Sequence, residues 1–216
     1  MSSPVVTVRG EATSQVPPEL ATISAAVSAS GPTSDQVARA LASGSERLAE
    51  VVDRFAAAVE RSSTSGLWIH PVTDHRNAAK VTGYRGSVGR EVVVHDFTRL
   101  SDLVLALSAL PGTEIGGPWW SLRPDSGVHR DVRLAAIADG RRRADDYAAA
   151  FGARVTELLE IADQAPGMGH PMAREMMFAS AKGGPPEASF DFEPQPQSVS
   201  GQVTLRFAIT SPVLAE

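Results

Sequence analysis

Cysteine is absent from this chain, and the absence removes several kinds of chemistry at once. Without thiols there can be no disulfide, no thiolate ligand for a metal ion and no cysteine nucleophile. The chain does not need cross-links of this kind, because a domain of 216 residues can bury roughly 70% of the surface of its unfolded chain. We therefore expect the fold to be held together by an ordinary hydrophobic core.

Lysine is scarce as well. Lys80 and Lys182 are the only two lysines, so that arginine supplies nearly all of the positive charge, and the formal net charge is −5. A nucleic-acid-binding surface needs concentrated positive charge to neutralise phosphates. The charge balance therefore argues against a general nucleic-acid-binding function.

Long apolar runs are also missing. No stretch approaches the ~18 consecutive apolar residues of a membrane-spanning helix, so no membrane span is predicted. A secretory signal has a basic segment followed by an apolar one. Here Met1 runs almost directly into Pro4–Val8, which has the pattern of a strand. These absences predict a cytoplasmic protein.

The pattern that is present is the alternation of apolar and polar residues typical of half-buried strands. It is seen around residues 5–12, 22–29 and, most clearly, 199–209, and further strands are predicted near 67–73, 81–95, 115–123 and 155–162. Three helices are predicted between the strands, one beginning near Thr33, one over about 99–110 and one from Ser126 to Phe151. Strict alternation of strand and helix is lacking. The predicted fold class is therefore α+β, a largely antiparallel sheet with about three helices packed on one face.

Two of these helices have a predicted buried face. The apolar residues of the first helix recur at steps of three, four and seven, which places them on one side: Val37, Leu41, Leu48, Val52, Phe55 and Val59. The buried face of the third helix is expected to include Val132, Ala135, Ala136, Tyr147 and Phe151.

Residues 165–197 interrupt the periodic pattern, because this segment is rich in proline, glycine and methionine. Loops longer than about 12–15 residues are usually functional or mobile. We expect residues 1–216 to form a single domain that carries this one long loop.

Several short sequences, taken in order, are similar to the SIMPL-domain family. The first two strands contain Val8-Arg9-Gly10-Glu11-Ala12 and Pro18-Glu19-Leu20-Ala21-Thr22-Ile23. They are followed by Thr82-Gly83-Tyr84-Arg85 before Val92-Val93-Val94, and then by Ile115-Gly116-Gly117-Pro118 ahead of the third helix. None of these sequences is specific alone. The resemblance depends on their order and spacing over about residues 5–210.

The resemblance implies one SIMPL domain with no assigned enzymatic activity and no cofactor. Bacterial members are mostly exported envelope proteins, some of which assemble into large rings, and the animal namesake is a kinase-associated signalling protein. Members have also been linked to tolerance of oxidative stress. The leading hypothesis is accordingly a bacterial, non-enzymatic assembly or binding protein. It would form homo-oligomers through sheet edges and the exposed tryptophan, or bind a protein partner.

Trp119 and Trp120 are the candidate interface residues. Adjacent residues of a strand face opposite sides of the sheet. One indole is thus expected in the core, and the other is expected against a helix, a loop or a neighbouring subunit.

Four residues of the 165–197 loop form a second candidate site, which would bind a metal ion. Thioether and imidazole ligands suit Cu(I), and the loop supplies them in Met168, His170, Met172 and Met176. The same methionines are also explained if they pack the loop against an apolar surface. A copper or redox-stress function therefore remains as an alternative.

A hydrolase is the third possibility. It would use His70 or His75 with a nearby carboxylate such as Asp74. The spacing matches no helical metal-binding or nucleophile motif, and no Gly-x-Ser-x-Gly sequence is present. Solvated turn residues are the simpler interpretation, so no catalytic residue is assigned.

Overall fold

The computed structural model describes residues 4–74, 77–163 and 190–213, and over these residues strands and helices follow one another in mixed order. The elements are β1 (Val5–Val16), β2 (Leu20–Gly31), α1 (Ser34–Asp53), β3 (Val59–Asp74), β4 (Asn77–Val94), a 3₁₀ turn (Phe97–Arg99), α2 (Leu100–Ser108), β5 (Thr113–Ser121), α3 (Gly127–Ala150), β6 (Val155–Asp163) and β7 (Gln197–Ile209). Every strand pair is antiparallel. The predicted α+β class is confirmed. None of the described helices is both long and apolar enough to cross a membrane.

The strands form two antiparallel sheets, whereas a single sheet was expected. One sheet has the strand order β1-β7-β6 and the other has the order β3-β4-β2-β5. Each sheet belongs to its own compact unit. We call them the three-stranded unit (β1, α3, β6 and β7) and the four-stranded unit (β2 to β5 with α1 and α2).

The core of the four-stranded unit lies between its sheet and the helices α1 and α2. The Thr33 side chain caps α1 by accepting a hydrogen bond from the Gln36 amide at 3.3 Å. The predicted buried stripe of α1 is confirmed as far as Val52. The helix ends at Asp53. Phe55 and Val59, which were expected on the same helical stripe, therefore lie beyond it, although both still pack against this core.

In the three-stranded unit, α3 packs against β1 and β7 through small side chains. Its buried residues follow one another at steps of four: Val132, Ala136, Gly140, Ala144 and Ala148. The prediction was correct for Val132 and Ala136 and wrong for Ala135, Tyr147 and Phe151, which are exposed. The reason is steric, because a helix that approaches a strand so closely has room for alanine and glycine but not for aromatic rings.

The predicted 165–197 loop lies mostly outside the described residues. Its last part, beginning at Phe190, runs without helix or strand up to β7. The Phe190 amide donates a hydrogen bond to the Ser101 hydroxyl at 3.1 Å, and Phe192 packs against the core of the four-stranded unit.

Candidate functional site

Two neighbouring tryptophans of β5 face opposite sides of the four-stranded sheet. Trp120 pairs with Ala21 and is half-buried against the core, where its ring meets that of Phe97 edge-on at 4.9 Å. Trp119 pairs with Thr22, faces the other side and is 51% exposed. The pair is arranged as strand alternation predicts, and the interface role of Trp119 stays a prediction.

The side of the sheet to which Trp119 belongs, away from α1 and α2, has a floor of small polar residues. We call it the outer face. The strand register places two rows of partners across it, namely Ser28, Ser87 and Trp68, followed by Ser30, Arg85 and His70. Because partners in antiparallel strands point to the same side, small serines here lie beside the larger side chains of Trp68, His70 and Arg85.

A cleft of about 610 Å³ opens over this part of the outer face. It is lined by Ser28, Ala29, Ser30, Trp68, Arg85, Ser87 and Glu114. The Trp68 indole stacks on His70, with ring centroids 5.1 Å apart. Arg85 and Glu114 form no ion pair with any described residue. The cleft therefore combines a flat aromatic surface with hydroxyls and both signs of charge.

Strand β3 is one of the two edge strands of the same sheet, and it pairs only with β4. Residues 62–73 of this strand contain no Asp, Glu, Lys or Arg. The register with β4 is regular from Gly66 to Val72, and the exposed fractions of Leu67, Trp68 and Val72 are 64%, 43% and 43%. An edge that is regular, uncharged and partly apolar is a natural site for pairing with another strand.

The other three sheet edges carry features that oppose pairing. Strand β1 carries an ion pair between Arg9 and Glu11 at 3.0 Å. Strand β5 contains Pro118 and an irregular register opposite β2. Strand β6 has three carboxylates and two register shifts. Charges, prolines and bulges are the means by which proteins protect edges from unwanted pairing. Strand β3 also has Pro71 and four register shifts, but all of these lie outside residues 66–70, which are regular and contain no Asp, Glu, Lys or Arg.

The sequence-predicted metal and catalytic candidates are only partly covered by the structure. Met168, His170, Met172 and Met176 lie outside the described residues, as does His75. His70 is exposed on β3, against Trp68. Among the residues that the structure describes, no three His, Asp or Glu side chains are grouped so as to hold a metal ion. The copper and hydrolase hypotheses are thus not tested.

The sequence predicts a strand near residues 67–73 and assembly through sheet edges, but it does not single out β3 as the pairing edge. The usable signal was the run of residues without charge between Arg61 and Asp74, together with Trp68. It becomes meaningful only when β3 is known to be an edge strand.

A comparison with known protein families agrees with the resemblance seen in the sequence. A family model described as SIMPL, protein of unknown function (DUF541), matches residues 6–207. No curated protein matches the chain. Among solved structures, the chain is similar to the crystal structure of an unknown protein from Galdieria sulphuraria, with 14% sequence identity over 90% of this chain and 84% of that chain and a TM-score of 0.24.

Proposed function

We propose that this chain, which belongs to the SIMPL family, is a non-enzymatic module that assembles with copies of itself. Assembly would use the edge strand β3 of its four-stranded sheet. The observation that carries the proposal is the edge strand β3, whose segment Gly66–Val72 is regular, uncharged and exposes large apolar side chains. The family's unknown function is compatible with this role.

The geometry of pairing follows from the strand itself. A second copy can add its own β3 antiparallel to the first, about a twofold axis perpendicular to the sheet, so that one continuous sheet crosses both copies. This arrangement uses the backbone C=O groups of the edge that have no partner strand within the four-stranded sheet, and the N–H groups except at Pro71, which has none. It also keeps Trp68 of both copies on one side and Leu67 of both copies on the other.

The energetic argument is that pairing buries apolar surface at little electrostatic cost. Leu67 and Trp68 are exposed in the single chain, and burial of a large apolar side chain stabilises by about 1.5–3 kcal/mol. No carboxylate or guanidinium within residues 62–73 has to be desolvated or placed beside its own symmetry mate.

Light scattering coupled to size-exclusion chromatography tests the proposal. At micromolar concentration the unmodified chain is expected to have the mass of a dimer or a larger assembly. Leu67→Lys places like charges close together across the pairing axis, so we expect the dissociation constant to rise about tenfold or more. Because Leu67 is mostly exposed, the substitution should leave the circular dichroism spectrum unchanged.

A matched control is Leu159→Lys on β6. This residue is also a half-exposed leucine of an edge strand, and the charge change is the same. It should leave the mass distribution of the assembly unchanged. A strictly monomeric unmodified chain, or equal dissociation of the two lysine variants, would contradict assembly through β3.

A further inference from the structure

Strand β6, at the edge of the three-stranded sheet, combines apolar exposure with a single sign of charge. Its nine residues include Glu157, Glu160 and Asp163 and no Lys or Arg. Three large apolar side chains of the same strand are about half exposed, namely Leu158, Leu159 and Ile161. Acidic residues alone would protect an edge from pairing, but protection does not require three exposed aliphatic side chains beside them.

The register with β7 places two of the apolar residues and two of the carboxylates on opposite faces. Leu158 and Ile161 pair with Phe207 and Leu205, which belong to the core beneath α3. Glu157 and Glu160 pair with Ala208 and Arg206, which are the alternate residues of β7. Since partners in a sheet point to the same side, Leu158 and Ile161 lie on the α3 side, followed by Asp163 opposite Val203, and Glu157 and Glu160 lie on the other side.

A groove of about 370 Å³ follows the apolar side of β6, between the strand and α3. The α3 wall is formed by Ile137, Arg141 and Asp145, spaced one turn apart, and Thr156 and Glu157 of β6 also line the groove. The floor includes the exposed side chains of Leu158 and Ile161 with the buried Leu205 and Phe207. The groove thus continues the core of the unit outward, to the edge at which the backbone of β6 lacks a second strand partner within its sheet.

A second copy of β6 is a poor occupant of this edge. Antiparallel pairing about a twofold axis would bring Glu157 and Glu160 of both copies together on one face. Like charges directly opposite one another destabilise a strand pair. Arg206 is the cross-strand partner of Glu160, but it lies on β7 and so on the side of β6 away from the free edge. Charge complementarity therefore favours a basic occupant.

We propose that the β6 edge binds an extended segment of a partner protein in which lysine or arginine alternates with an apolar residue. Added as a fourth strand, such a segment directs its apolar side chains into the groove beside α3. Its cations then lie on the opposite face, next to Glu157 and Glu160, and its backbone hydrogen-bonds to β6. This surface belongs to the three-stranded unit and does not depend on assembly through β3.

The probe is a fluorescent peptide of about eight residues that alternates lysine with valine, which matches the length of β6. Fluorescence anisotropy with the full chain is expected to show saturable binding. The double variant Glu157→Lys with Glu160→Lys should weaken it tenfold or more. The matched control is Glu46→Lys with Glu50→Lys on the exposed side of α1, which has the same net charge and should retain the affinity of the unmodified chain.

Two modified peptides separate strand addition from diffuse attraction of charges. One is N-methylated at every lysine and the other at every valine, so both keep their charge but lose alternate hydrogen-bond donors. Strand addition uses the donors of one set only, and the two affinities should therefore differ about tenfold or more. The proposal is overturned if the two peptides bind equally, if both double variants lose binding alike, or if the unmodified peptide does not bind.

Discussion

Gly10 of β1 lies directly against Gly140 of α3. A Cβ atom on Gly10 would come within 2.6 Å of the backbone nitrogen of Gly140 and would also overlap the carbonyl oxygen of Ala136. Both obstacles are backbone atoms of a helix, which cannot turn away as a side chain can. The contact explains why the buried stripe of α3 consists mainly of alanine and glycine.

We therefore expect Gly10→Ala to destabilise the three-stranded unit. The added methyl group forces α3 away from β1, and overpacking of this kind costs about 1–3 kcal/mol of unfolding free energy. Gly127→Ala is the control, because nothing lies within 4 Å of a Cβ there. Its effect should stay within about 1 kcal/mol. Urea unfolding followed by circular dichroism measures both, and equal stability of the two variants would show that α3 does not approach β1 so closely.

The two tryptophans of β5 should differ sharply in their effect on stability. Trp120→Ala removes a ring that packs against the core and contacts Phe97, so we expect a loss of about 3 kcal/mol in unfolding free energy. Trp119→Ala removes a half-exposed ring and should change the unfolding free energy by less than about 0.5 kcal/mol. A larger loss at Trp119 than at Trp120 in denaturant titration would reverse the assignment of the two faces.

Asp96 should make stability depend on pH in the acid range. The hydroxyl of Thr98 donates to its carboxylate at 2.6 Å and the Thr98 amide donates at 3.1 Å, and these bonds lower the pKa of Asp96 below its ordinary value of 3.8. A lowered folded-state pKa means that the ionised form stabilises the fold. This contribution is complete above the unfolded-state pKa and disappears as the pH falls below 3.8 through the folded-state pKa.

The variant Asp96→Asn isolates this effect, since asparagine keeps an acceptor oxygen but does not titrate. The excess stability of the unmodified chain over the variant should be present at about pH 6 and should shrink as the pH falls toward about 2.5. Thermal unfolding across this range measures the difference. A difference that is constant with pH would mean that the Asp96 carboxylate is not stabilised by Thr98 in the folded state.

Much of the local structure could be predicted because it depends on short-range periodicity. The stripe of α1 from Val37 to Val52 marks a helix with one buried face, and the alternation along 199–209 marks the strand β7. The buried face of α3 could not be predicted in the same way. Alanine and arginine occur all around that helix, so hydrophobicity does not indicate one side, and Tyr147 and Phe151 were wrongly expected to face inward.

The candidate sites also differ in how far they can be predicted from the sequence. The opposite faces of Trp119 and Trp120 follow from strand geometry alone. The choice of β3 and β6 as binding edges cannot be predicted in this way, because an uncharged or acidic strand is available for pairing only when it lies at the edge of a sheet. Leu67 and Leu158 become candidates for binding only once the strand order shows that each has one neighbouring strand rather than two.

The sequence by itself determined the family, the α+β class, the helix α1 and the alternation of the strands, since each of these is recorded in residues close together in the chain. Tertiary structure alone decided which strands are partners. Val5 pairs with Ala208, so β1 is held by β7, and the strands of the described residues form two sheets instead of one. Strand pairing of this kind cannot be read from a short stretch of sequence, because it depends on how all the apolar faces are buried together. The close approach of Gly10 to α3 is one of the contacts that result.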